Sequence, residues 1–336
     1  MSEVASYFTS AIMREFRGYP LYSHLAGEVA KDGDLLALVE RSGASGRAAQ
    51  LLMAVVHFLL LKGRDDSGLA RHYASLAEHP LPPEGAFAPF KRFVQANQND
   101  IVAILGSREL VRTDLRRASC LRLLVAEAAR QMNVSRINLI DAGCSVGLNL
   151  LLDEWTYEYG ISSNLDCAGK TPHIGIEARG RAPANVTIPA IVSRTGIDLH
   201  LPSLEADDDR LWMLAQVIAD DRASFTCLKR LLERLPDRRL RLVAGDVAEN
   251  LGEVIDSLEA AKPVVVMHSI MLNYLSEAQR QKFFYEITKR AESRPIARVG
   301  MEIAGADASL VVAIGSERPQ TVGRADIDAR WVSWLR

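Results

Sequence analysis

Apolar positions along this chain follow two different rhythms. Through about residue 133 they recur at helical spacing, with polar residues between them. Arg47 to Lys62 is strongly apolar and stops at Gly63, a residue suited to the C′ position of a helix. Phe90, Phe93, Val94, Ile101 and Leu105 keep a spacing that predicts a helix over Phe87 to Leu105, ending at Gly106. Thr113 is placed to cap a helix running to about Gln131. Leu81-Pro-Pro-Glu-Gly85 reads as a loop. No β-branched alternation occurs before Ile137, so this part is expected to be all-helical.

From Ile137 short apolar runs alternate with helical stretches, the pattern of an α/β sheet. The expected strands are Ile137 to Ile140, Ala190 to Gly196, Arg241 to Ala244, Val264 to Met267, Ala297 to Ile303 and Leu310 to Ile314. Helices are expected at Leu148 to Tyr157, Arg210 to Ile218, Phe225 to Leu235, Ala248 to Glu259 and Ser276 to Glu292. Gly160 to Pro189, rich in Gly, Pro, Ser and Asn, reads as an insertion or hairpin. The implied division is a helical domain over 1–133 and an α/β domain over 134–336, with an insertion around 160–189.

The densest chemistry lies in Ile137-Asn-Leu-Ile-Asp141-Ala-Gly143-Cys-Ser145-Val-Gly147-Leu-Asn149-Leu150. An apolar strand meets an acid, a loop of small residues and a helix-forming run. Gly143 and Gly147 permit positive φ and close backbone approach. Bare N–H groups at the helix start would suit an anionic or strongly polar ligand. No Lys follows Gly147, so this is not a phosphate loop. A carboxylate beside the glycines instead suits a ligand with an amino group, such as the methionyl part of S-adenosylmethionine. The segment resembles the first motif of class I methyltransferases. The plainer reading is the glycine turn that any doubly wound fold can place after its first strand.

Other strand ends offer further candidates. Val243-Ala-Gly245-Asp246 presents a carboxylate that can accept from an adenine amino group or cap the following helix. His268, in Val264-Val-Val-Met-His268-Ser269-Ile-Met-Leu-Asn273-Tyr274, is a general base or substrate partner, or else a histidine satisfied by its surroundings. Ser269 and Tyr274 are weaker candidates there. For ribose hydroxyls the sequence offers Asp198, favoured because its run is strand-like, with Glu177 as the rival. Gly143-Cys-Ser145-Val-Gly147 also satisfies the nucleophile-elbow pattern, so a hydrolase using Ser145 competes. Glu205 to Asp209 reads as a solvated helix start. The histidines have no metal-ligand spacing, so no metal is expected.

Composition narrows the field. With 336 residues, 48% hydrophobic and 24% charged, the chain can bury a large core. A net charge of −2 provides no basic field for nucleic acid or an anionic membrane. Cys120, Cys144, Cys167 and Cys227 form no CxxC pair, fit neither a zinc site nor a disulfide framework, and suggest reduced thiols in the cytoplasm. Residues 1–8 lack a signal-peptide pattern, and Leu51 to Leu61 is too short to span a bilayer. The expected partner is a small-molecule substrate, with a homo-oligomer left open.

Taken together, these residues resemble a bacterial domain-of-unknown-function family, numbered twenty-three thirty-two, over nearly the whole chain. The most specific match is Gly143-Cys-Ser145-Val-Gly147-Leu148-Asn149-Leu150, followed by Asp153 and Tyr157. Arg194-Thr-Gly196-Ile-Asp198, Leu211-Trp212, Gly245-Asp246, His268-Ser269 with Tyr274, and Trp331-Val-Ser-Trp334 also fit. The family tends to have Glu where Asp141 stands and Ala where Cys144 stands. Around Thr113-Asp114 its polar signature is half kept, with Leu115 in place of an acid. The resemblance implies a methyltransferase-like sheet.

The resulting expectation is an α/β protein: a helical N-terminal domain plus a Rossmann-like, class I methyltransferase-type doubly wound sheet. Asp141, Gly143, Ser145, Gly147, Asn149 and Asp246 would hold S-adenosylmethionine, with Asp198 on its ribose. His268 would take the acceptor's proton, with Tyr274 beside it. The alternatives are the Ser145 hydrolase and a non-catalytic binding or scaffold protein.

Overall fold

A computed structural model describes residues 2–44, 47–111, 113–169, 171–184, 186–260 and 262–335. In chain order the helices α1 (Glu3–Met13), α2 (Pro20–Val29), α3 (Gly33–Arg41), α4 (Ala48–Leu61), α5 (Phe87–Ala96), α6 (Gln98–Ser107) and α7 (Arg117–Met132) come first. Strands β1 (Arg136–Ala142), β2 (Thr156–Tyr159), β3 (Asn164–Asp166), β4 (His173–Ala178) and β5 (Ala190–Asp198) follow. Then come α8 (Asp207–Ala215), α9 (Arg222–Arg234), β6 (Arg241–Ala244), α10 (Val247–Asp256), β7 (Val264–Ser269) and α11 (Glu277–Ala291). Strands β8 (Ile296–Ala304), β9 (Asp307–Ile314), β10 (Gln320–Ala325) and β11 (Trp331–Trp334) complete the order.

The chain forms two compact units, Met1–Thr113 with Ser203–Leu232, and Asp114–Pro202 with Glu233–Arg336. In the first unit α4 is buried on nearly every side, because its run from Leu52 to Leu60 is apolar except for His57. Trp212, Ala215, Ile218 and Ala219 join the same core. Asp220 accepts from the Leu21 and Tyr22 N–H groups at 2.8 and 3.3 Å, capping α2 from a distant point in the sequence. Gly63 sits after α4 at φ +77°, as its C′ position predicts.

The expected boundary at 133 therefore moves. Helix α7 packs on β7, β8 and β9 and belongs to the second unit, whereas α8 packs on α4 in the first. The helix expected over Phe87 to Leu105 breaks at Asn97 into α5 and α6. Thr113 does not cap α7, which has Arg116 at its N-cap position.

In the second unit eleven strands form one mostly parallel sheet, ordered β2-β4-β11-β10-β9-β8-β7-β1-β5-β6, with β3 beside β4. Strands β6, β5, β1, β7 and β8 form a continuous parallel block. Its central strands β1 and β7 are buried along both faces, as inner parallel strands should be. Ile140, Ala142, Val264 and Val266 pack with Val247, Leu251, Phe283 and Ile287 of α10 and α11.

Between Leu148 and Pro189 the expected helix fails, while β3 and β4 pair antiparallel as a hairpin within the expected insertion. The helix expected over Leu148 to Tyr157 is a single 3-10 turn, Leu148–Leu151, followed by β2. Thr156, Tyr157 and Tyr159 favour a strand, and Arg194 fixes the turn by gripping Asp153 at 2.6 and 2.7 Å and the Leu150 carbonyl. The expected insertion around 160–189 contributes β3 and β4, and β4 joins the main sheet through β11. Lys170 and Asn185 of that insertion lie outside the described residues.

Cys120 and Cys144 are free thiols, but Cys167 and Cys227 are each disulfide-bonded, so the thiol argument for a reducing compartment fails. Among the described residues no helix is long and apolar enough to cross a membrane.

Candidate functional site

From β1 the sheet grows outward in two directions, through β5 and β6 on one side and β7 and β8 on the other. In a parallel sheet such a reversal leaves a crevice beyond the strands' carboxyl ends, where ligands bind. The strand ends here carry Asp141 on β1, Asp198 on β5, Ser269 on β7 and Glu302 on β8.

Asp141 lies beside Gly196 of β5 and Met267 of β7 and is 1% exposed. Its Oδ2 has no hydrogen-bond partner. Burial, and after it the charge of Asp198, push its pKa from the usual carboxylate range up to about 8. The buried Ser145 Oγ and the Ser269 Oγ are also unpartnered. Three unmet polar groups thus gather at the switch point. Buried polar groups are normally satisfied, so these three make the switch point the candidate site.

The loop after β1 is strained but internally bonded. Gly143, Ser145 and Gly147 adopt φ of +80°, +52° and +82°. The Gly143 and Cys144 N–H groups donate to the Ile197 carbonyl at 2.8 and 3.2 Å. Ser145 N–H donates to Asp198 Oδ2 at 2.7 Å, and Gly147 N–H donates to the Cys144 carbonyl at 2.8 Å. These four donors are engaged, and only a short 3-10 turn follows. The bare amides expected at the helix start fall instead at the beginning of this turn, Leu148 and Asn149.

The two glycines serve different neighbours. A Cβ on Gly147 would approach Leu240, Leu242 and Leu150 at 3.0–3.3 Å, so this glycine serves interior packing. A Cβ on Gly143 would lie 2.8 Å from Met271 Cγ, in the loop after β7. Asn149 sits half-buried in the 3-10 turn. Cys144 is no nucleophile, because burial, then Asp141 and Asp198, push its thiol pKa far up.

Asp246 realises the capping alternative. Its Oδ1 accepts from Ala248 N–H at 2.8 Å and its Oδ2 from Gln279 Nε2 at 2.5 Å. Glu177 lies on β4, six strands from β1 and roughly 29 Å away at about 4.8 Å per strand, so it is remote from the crevice. Asp198 is the acid that reaches the loop.

His268 is fully buried and stacks edge-on against Phe283, with ring centroids 5.8 Å apart. Arg298 Nη1 lies 3.1 Å from its Nε2, and Glu302 Oε1 lies 2.6 Å from its Nδ1. Arginine can only donate, so Nε2 accepts and Nδ1–H donates to Glu302. Burial holds its pKa below the usual imidazole range, against the pull of Glu302. A neutral ring with both nitrogens engaged is a structural histidine, not a free base. Nor does any histidine among the described residues reach Ser145 Oγ, as a serine hydrolase requires. Tyr274 lies in the turn Leu272–Tyr274 and is 66% exposed.

Sequence reasoning missed Glu302, Arg298 and Met271. Glu302 had a signal: it stands near the end of an apolar strand, as Asp141 and Asp198 do. Arg298, a charge inside an otherwise apolar strand, had one as well.

The family described as an uncharacterized protein conserved in bacteria (DUF2332) matches residues 5–334. The chain belongs to this family. No curated protein matches it.

Proposed function

We propose that the second unit of this family member binds S-adenosylmethionine and that the protein is a methyltransferase acting on a small-molecule acceptor. The observation that carries this reading is the buried, unpartnered Asp141 Oδ2 at the switch point. The parallel order β6-β5-β1-β7-β8 supports a Rossmann-like, doubly wound sheet with its ligand in this place. A dinucleotide is disfavoured. Its phosphates would meet the carboxyl groups of Asp141 and Asp198, and the four loop amides named above are engaged.

The residues fit an amine-bearing cofactor at one end. Asp141 would face the amino group, with Ser145 and Ser269 hydroxyls beside it. Asp198 retains lone pairs for ribose hydroxyls although it accepts from Ser145 and His200 N–H groups. Asp246 fits the adenine role less well, because both its oxygens are engaged. The cofactor would supply a methyl group on a sulfonium centre. The chain's part is to enclose and orient. Exposed Tyr274, on the loop after β7, is placed to contact an acceptor; His268 takes no proton.

Thermal shift with S-adenosylmethionine, S-adenosylhomocysteine, NAD and ATP tests the reading. A true ligand at 100 times its dissociation constant stabilises by about 2.7 kcal/mol. Stabilisation by the phosphate-bearing ligands alone would refute the proposal.

A further inference from the structure

Glu302 collects more donors than any other carboxylate around the crevice. Its Oε1 lies 2.6 Å from His268 Nδ1 and accepts from the Met271 and Leu272 N–H groups at 3.1 and 3.3 Å. Its Oε2 accepts from Asn273 Nδ2 at 3.3 Å. The loop it holds contains Ile270 at φ +54°. A β-branched residue in the left-handed region costs roughly 1–3 kcal/mol and persists only when its surroundings over-determine it. The Met271 side chain in turn packs against Gly143. Glu302 therefore ties the strained loop after β7 to the glycine loop after β1.

We infer that Glu302 is the positioning residue of the crevice: it fixes residues 270–273 so that Met271 walls the Gly143 side and Ser269 faces the ligand. The inference rests on this crevice being the cofactor site proposed above. Arg298 and His268 form the base of the device. Arg298 orients the imidazole through Nε2, and the imidazole presents its Nδ1–H to Glu302. Removing the carboxylate frees two loop amides and releases Ile270 from its strained conformation. The wall can then withdraw from Gly143.

Amide hydrogen exchange at Met271 and Leu272, together with calorimetric titration of S-adenosylhomocysteine, tests this in wild type, Glu302→Ala and Glu302→Gln. In Glu302→Ala both amides should exchange roughly tenfold faster or more while β1 keeps its protection. Affinity should fall by about tenfold or more. Glu302→Gln keeps an acceptor oxygen and should stay within roughly threefold of wild type in both measurements. If Glu302→Ala does not fold, Met271→Ala replaces it. That variant leaves the carboxylate contacts intact, so the amides should stay protected while affinity falls several-fold. Unchanged exchange at Met271 and Leu272 in Glu302→Ala would overturn the inference. So would freed amides with normal affinity, normal affinity in Met271→Ala, or a Glu302→Gln variant as impaired as Glu302→Ala. A wild-type protein that takes no S-adenosylhomocysteine defeats the methyl-transfer reading. The exchange data then still decide whether Glu302 sets the loop.

Discussion

Asp141 and Asp246 are both acids near the carboxyl end of a parallel strand, Asp141 still within β1 and Asp246 two residues past β6, and their surroundings treat them oppositely. Asp246 precedes a full helix whose first N–H groups lack intrahelical acceptors, so its Oδ1 caps α10 and Gln279 takes the other oxygen. Asp141 precedes a loop whose amides are already held by the Ile197 carbonyl and by Asp198. Its Oδ2 is left with no donor. What separates a cap from a ligand-seeking carboxylate is the supply of nearby donors. The residue type is the same.

The sharpest test of that contrast is Asp141→Asn. It should weaken S-adenosylhomocysteine by roughly 10- to 150-fold, the loss of one charge-assisted bond of about 1.5–3 kcal/mol, measured by calorimetry. Without ligand the same variant should be more stable than wild type in alkali. A carboxyl group raised to about 8 favours the fold fully only below its ordinary pKa near 3.8. Its contribution is lost as pH rises from about 4 to about 8, with a slope of at most about 1.36 kcal/mol per pH unit. Denaturation midpoints of wild type should fall across that window relative to Asp141→Asn and run parallel above it. Parallel curves throughout would show that Asp141 ionises normally.

Gly147→Ala comes next. Its positive φ and the nearby leucines predict a loss of roughly 1–3 kcal/mol in urea unfolding, with affinity of the folded fraction nearly unchanged. A selective loss of affinity would return this glycine to the ligand. Asp246→Ala should cost about 0.5–2 kcal/mol of stability through the lost cap and change affinity less than Asp141→Asn does. The smallest effect belongs to Asp246→Asn, which keeps a capping oxygen and should lie within about 0.5 kcal/mol of wild type. If Asp246→Asn instead matched Asp141→Asn in lost affinity, the contrast between the two acids would collapse.

The centre of the parallel block was legible because β1 and β7 are buried on both faces. Val264-Val-Val-Met267 admits little else once its length and flanking turns are counted. Strands β2, β10 and β11 were not seen, and β3 and β4 were expected only as an insertion or hairpin. The unseen strands are short and carry exposed polar positions, such as Thr156, Glu158, Gln320 and Arg324, whose order comes from pairing rather than local preference. Asp141, the small-residue loop and Asp198 were found by position alone. The engagement of His268 was invisible, because Arg298 and Glu302 lie on a neighbouring strand 30 and 34 residues away. The placement of α8 was hidden for the same reason: Trp212 meets its apolar partners only in the folded helical unit.

That last feature bears on how the protein is made. The helical unit needs Ser203–Leu232 to complete its core, and these residues are synthesised only after the first half of the second unit. Helix α4 must wait while about 120 further residues, Asp114 to Leu232, leave the ribosome. At the ordinary pace of elongation that delay is roughly 5 to 25 seconds. During it Phe58 lacks Trp212, and His57 lacks the Ala215 carbonyl and the Phe225 ring, which meet them in the finished fold. The nascent chain thus carries an apolar helix through a long vulnerable interval, a natural client for a chaperone working at the exit tunnel.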